Sequence, residues 1–171
     1  MAFDTQGRSP LVNNSARTVI GTKTHLGGGK LSFGKAILTL TSVVTMVSPY
    51  LADFNRTHVF NPEWTPHAKF HNGQTMGTGA ALGAAALLAL WKRGDFSRGR
   101  LEVAAASASL YWLTQASALL YPGAKMLDAD GDRPANNKGP QWAIFSGILA
   151  MNAWAYRSEI RKILRGVDVK V

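Results

Sequence analysis

The sequence predicts an all-α integral membrane protein: a four-helix transmembrane bundle behind a polar, disordered N-terminal tail. Three observations carry that expectation. The apolar residues gather into four blocks, each close to the roughly 20 residues that a helix needs to cross the hydrocarbon core. The charges lie between the blocks rather than in them. Lys and Arg are distributed unequally between alternate connections, as membrane orientation requires. At 171 residues, with 46% hydrophobic and 17% charged content, the chain has room for one compact domain. A mean hydropathy of −0.03 averages over this segregation and hides it.

The first 33 residues are polar and glycine-rich, with scattered Arg and Lys. They lack the apolar core of a secretory signal, so a disordered cytosolic tail is expected, with an organelle-transit segment as the competing reading. Gly27 to Gly29 reads as flexible linker, because no Gly-Lys-Ser/Thr follows to make a phosphate loop. The bundle is expected over residues 34–157, and a basic interfacial tail over 158–171, with Ile160, Ile163 and Leu164 turned toward the membrane surface.

The spans are expected near Ala36 to Ala52, Thr75 to Trp91, Val103 to Tyr121 and Gln141 to Tyr156. Tyr50, Trp91, Tyr121, Trp142 and Tyr156 sit at their ends, where amphipathic rings favour headgroup depth. Ala, Gly and Ser within them allow close helix packing. Of the 19 Lys and Arg residues, only Arg56, Lys69, Lys125, Arg133 and Lys138 fall on the side of the first and third connections. That bias predicts cytosolic termini, in the endoplasmic reticulum if the cell is eukaryotic.

A net charge of +9 can signal nucleic acid, but clusters that flank apolar blocks fit topological retention and contact with anionic lipid. With no cysteine, disulfides, thiolate nucleophiles and Cys-based metal sites are excluded. Asp128, Asp130 and Asp132 lack the Gly and Glu positions of an EF-hand and read as an acidic turn. Asn55-Arg56-Thr57 is a glycosylation sequon too near the first span to be modified.

Chemistry concentrates in Asp53 to Thr75, which holds His58, His67, His71 and Glu63. Thr65-Pro66 reads as a helix N-cap and first residue, so the second helix starts well before its apolar block. His67, His71, Gln74 and Thr78 then share one helical face. Such polar groups are costly against lipid, so the stripe is expected to face the bundle. The predicted catalytic residues are His71 and His67 as acid and base, Asp53 and Glu63, which orient or tune them, and His58. Gln74, Asn72, Tyr111, Trp112, Gln115 and Asn152 are predicted to bind substrate. Two readings compete: a metal site of His67, His71 and carboxylates, and a structural network at the interface.

Asp53, Asn55, Thr57-His58, Asn61, Trp64, Pro66-His67 and Phe70-His71-Asn72 resemble the signature of a family of small four-span membrane proteins of unknown function in bacteria and fungi. Small fungal membrane proteins of this size and setting resemble tailoring enzymes of natural-product pathways. A more distant similarity is to the emopamil-binding and sterol-isomerase group, which implies proton transfer in a membrane-embedded pocket. The expectation is a cofactor-independent isomerase or cyclase acting on an isoprenoid, sterol or polyketide-like molecule. A non-catalytic lipid- or partner-binding scaffold and a metal-dependent membrane enzyme are the alternatives. Lipid and a lipophilic substrate are the expected partners, and no cofactor and no nucleic acid are expected.

Overall fold

The computed structural model describes residues 31–126 and 139–168, and among them every regular element is helical. Residues 1–30, which hold most of the expected tail, and Asp128, Asp130 and Asp132 lie outside the described residues.

Helix α1 runs Phe33–Asp53, α2 Pro66–Trp91, α3 Arg98–Ala118 and α4 Gly139–Asp168. Three of the starts are set by hydroxyl caps. The side chains of Ser32, Thr65 and Ser97 accept hydrogen bonds from the backbone N–H groups of Lys35, Ala68 and Arg100. The early start of α2 at Pro66 agrees with the sequence. Helix α3 begins five residues earlier than its apolar block, because Ser97 caps a first turn that is polar and exposed. It ends at Ala118, with Leu119 to Ala124 turning back through local i to i+3 bonds.

Helix α4 is unbroken for 30 residues, about 45 Å at 1.5 Å per residue, and so absorbs most of the expected interfacial tail. Ile163 is buried and Ile160 packs on the same cluster as Leu38, Leu90, Phe96 and Leu101, whereas Leu164 stands exposed.

Consecutive helices pack side by side and α4 closes back on α1, with α1 and α3 also touching across the bundle. Contacts such as Gly34 with Glu159 and Trp112 with Phe145 pair the start of one helix with the end of its neighbour, an antiparallel arrangement. The α1–α2 contact is the tightest. A Cβ on Gly79 would meet Pro49 Cγ at 2.7 Å and the Thr45 carbonyl at 2.8 Å. One on Gly83 would collide with Met46 and lie 2.5 Å from the Ser42 carbonyl.

Beside the apolar clusters around Leu38, Leu90 and Leu101 and around Trp112 and Phe145, the interior holds small polar side chains. Thr41, Ser42, Thr45, Ser107 and Asn152 are buried. The three α1 hydroxyls satisfy themselves on carbonyls four residues back, at 2.6 to 3.0 Å. Trp112 Nε1 donates to Thr45 Oγ1 (2.9 Å) and Trp91 Nε1 to Thr39 Oγ1 (3.0 Å), tying α3 and α2 to α1. The exterior is apolar: Leu40, Val43, Leu51, Leu88, Leu113, Ile144 and Trp154 are exposed. Helix α1 is the one described helix long and apolar enough by composition to cross a membrane.

At the end of the bundle formed by the α2–α3 connection and the tail of α4, charge is buried. Lys35 Nζ lies 4.3 Å from the Trp91 ring and 4.6 Å from Phe96, and Glu159 bonds Lys162 at 2.6 Å. Arg100 donates to the carbonyls of Ala89, Lys92, Gly94 and Asp95 and so closes the C-terminus of α2.

Candidate functional site

The opposite end of the bundle opens into a cavity of about 680 Å³ between α1, α2, α3 and the α1–α2 loop. Four aromatic rings, Trp64, Tyr111, Trp112 and Phe145, form much of its wall. Its polar lining comprises Asp53 and His58, Asn72, Gln74, Thr75 and Thr78 of α2, Thr114 and Gln115 of α3, and Lys125 at the mouth.

The α1–α2 loop is a scaffold for one histidine. Asn55 Oδ1 accepts from the Thr57 N–H (2.9 Å), the Thr57 hydroxyl (2.8 Å) and the His58 N–H (3.2 Å), an Asx turn that reverses the chain just past α1. Asn61 holds the other side of the loop, donating to the Thr57 carbonyl and accepting from the Glu63 N–H. Trp64 stacks edge-on against the His58 ring with centroids 4.9 Å apart.

His58 Nδ1 lies 2.8 Å from Thr57 Oγ1 and 3.3 Å from Asn55 Oδ1. Asn55 Oδ1 is already the acceptor of three hydrogen bonds, and Thr57 Oγ1 is the closer polar neighbour of Nδ1. Nε2 faces Asp53 Oδ1 at 3.8 Å, and the two side chains are each about one-fifth exposed. At that separation the two groups are within ion-pairing reach but not hydrogen-bonded.

Of the predicted site residues, the fold brings Asp53, His58, Asn72, Gln74, Tyr111, Trp112 and Gln115 to one cavity. Four are elsewhere. Glu63 stands exposed in the loop, and Asn152 is buried between α3 and α4, donating to Ala108 O and Ser109 Oγ at 3.1 Å. His67 and His71 pair with each other, Nε2 to Nε2 at 3.0 Å, on the exposed face of α2, where His71 Nδ1 also meets Gln74 Oε1 at 3.2 Å.

Of the expected stripe of His67, His71, Gln74 and Thr78, the two histidines stand outside the cavity while Gln74 and Thr78 line it. The face of α2 that packs inward is Met76, Gly79, Gly83, Ala86 and Leu90, continued upward by Asn72, one residue and about 100° around from His71. The glycines chose it, since only a face without Cβ atoms can sit against Pro49 and Met46 at the observed separation. Among the described residues no group of three or more His, Asp or Glu side chains is arranged to hold a metal ion. Trp64 and Phe145 were not among the predicted lining residues. Phe145 carries a readable signal, the spacing of Gln141, Phe145 and Asn152 along one face of α4, all three buried.

Residues 37–171 match the family of unknown function DUF6640, and the chain belongs to that family. No curated protein and no solved structure matches it.

Proposed function

We propose that this member of the DUF6640 family is a four-span membrane protein that binds a lipophilic small molecule in the 680 Å³ cavity and rearranges it by proton transfer through His58 and Asp53. The observation that carries the reading is the facing pair of His58 Nε2 and Asp53 Oδ1 on the wall of an aromatic cavity. In the reaction, Nε2 removes a proton from the substrate, Asp53 stabilises the imidazolium, and the same proton returns to a different substrate atom. No electrons are gained or lost, which is the balance of an isomerase or cyclase.

The membrane setting is supported by the many large apolar side chains on the outside of the helices, together with the buried hydroxyls of α1. In water, exposing Leu, Val and Ile while burying Thr, Ser and Asn forgoes the hydrophobic driving force. In lipid it is favourable, because small residues pack closely and buried hydroxyls find carbonyls. With Lys and Arg concentrated at the other end, the cavity opens on the non-cytosolic side, in the endoplasmic reticulum if the cell is eukaryotic. The distant similarities to the emopamil-binding and sterol-isomerase proteins expected from the sequence imply the same kind of chemistry. Those likenesses now bear on His58 rather than on His67 and His71.

The test is a comparison of lipid extracts by mass spectrometry from cells expressing wild type, His58→Ala, Asp53→Asn and the His67→Ala/His71→Ala double variant. Wild type and the double variant are expected to share a product that the first two lack. If His58→Ala retains the product, the proposed catalytic pair is wrong. Identical extracts from all four and from cells without the protein would favour a non-catalytic binder.

A further inference from the structure

Outside the cavity, the first turns of α2 hold a second group of side chains that the proposed reaction does not use. His67 and His71 stand one turn apart on the exposed face of the helix, Nε2 to Nε2 at 3.0 Å. Gln74 Oε1 lies 3.2 Å from His71 Nδ1. An amide oxygen only accepts, so His71 carries its hydrogen on Nδ1 and presents the Nε2 lone pair toward His67. Phe70 lies beside both rings, parallel to His67 with centroids 6.3 Å apart and edge-on to His71 at 5.4 Å. The Thr65 cap and Pro66 fix the start of the helix on which the two histidines sit.

Two imidazole nitrogens aimed at one point can chelate an ion. With metal–nitrogen bonds of about 2.0–2.1 Å, a separation of 3.0 Å subtends roughly 91–97° at the ion. That is the angle between neighbouring ligands in square-planar or octahedral geometry, whereas a tetrahedral ion would need the nitrogens about 0.3–0.4 Å further apart. No Asp or Glu joins the pair to make a group of three among the described residues, which disfavours calcium and magnesium, cations that take oxygen ligands. We propose that His67 and His71 form a two-histidine site for a divalent transition-metal ion of the copper and nickel class, with water in the remaining positions. On binding, the hydrogen between the two rings leaves the contact: His67 takes its Nδ1–H form, and both Nε2 lone pairs hold the ion. The pair precedes the apolar block that starts at Thr75, so water reaches the site. The ion ties together the first two turns of α2 and, through Gln74, adjoins the cavity wall. The site is independent of the chemistry proposed for the cavity.

The experiment uses the full-length protein, purified in detergent through a tag without histidine and stripped of metal with a chelator. Calorimetric titration with copper(II), nickel(II) and zinc(II) chlorides reads affinity, and electron paramagnetic resonance of the copper form counts its nitrogen ligands. Wild type should bind copper tightest and zinc weakest, with two imidazole nitrogens on the copper, and copper should raise its melting temperature. His67→Ala/His71→Ala should lose the binding and the rise in melting temperature. Melting without metal reports that this variant folds, as its exposed positions require. Gln74→Leu, which removes only the acceptor behind His71, should weaken copper binding about tenfold. His58→Ala should bind copper as wild type does. Wild-type affinity in the double variant, or fewer than two nitrogens on copper in wild type, would overturn the site. Loss of binding in His58→Ala would put the ion in the cavity and overturn it as well. Tighter binding of zinc than of copper would overturn the assignment to the copper and nickel class.

Discussion

Two glycines on one helix should respond to the same substitution with opposite signs. In Gly83→Ala the new methyl must enter the space of Met46 and approach the Ser42 carbonyl to 2.5 Å, and the Met46 backbone nitrogen to 3.1 Å. Backbone atoms cannot rotate away as a side-chain tip can, so α1 and α2 must separate. Overpacking of this kind costs about 1–3 kcal/mol, and the upper end applies because two of the three nearest atoms are backbone. Gly77→Ala places its methyl where nothing lies within 4 Å. There the helix gains the propensity difference between Gly and Ala, about 0.8–1 kcal/mol. Gly83 lies in the same helix and shares that gain, so the predicted gap between the two variants is the overpacking cost itself, about 3 kcal/mol. Thermal unfolding in detergent measures it, with each kcal/mol worth roughly 2–4 °C in a protein of this size. Gly83→Ala should melt below wild type and Gly77→Ala slightly above. A Gly83→Ala protein as stable as wild type would refute the close α1–α2 contact, and with it the assignment of the inward face of α2.

The remaining predictions concern packing and orientation. Thr45→Val leaves the buried Trp112 indole N–H without its acceptor and should cost about 1–3 kcal/mol in the same melting assay, whereas Trp112→Phe in that background should cost far less than it does alone. Additive losses in the double variant would show that the bond does not form. Since the chain has no cysteine, single introduced cysteines report sidedness cleanly. In sealed vesicles a membrane-impermeant maleimide should reach Ser97→Cys and Arg165→Cys from one face and Thr57→Cys only from the other. Labelling of all three from one face would rule out four spans.

The helical pattern of this protein and one of its starting points were legible in the residues themselves. Thr65 followed by Pro66 marks the start of α2, because a hydroxyl that caps a free N–H and a ring that fixes φ act within a single turn and need no tertiary partner. Asp53 and His58 could be singled out as members of one polar stretch, while the turn held by Asn55 that brings them together is seen only in the fold. Periodicity also showed that His67, His71, Gln74 and Thr78 share a face.

What the residues alone did not reveal is which face of α2 turns inward. Polarity argued for the histidines, on the ground that such groups avoid lipid. Packing chose the glycines, since two helices approach closely only where Cβ atoms are missing, and that contact is a property of α1 and α2 together. The 100° between His71 and Asn72 then removed one pair of histidines from the cavity and brought a lone amide into it. Local hydrogen bonding and chain stereochemistry are written residue by residue. The rotation of one helix against another is decided by steric fit over its whole length, so only the tertiary structure shows that His58 lines the cavity while His67 and His71 stand on the exposed face of α2.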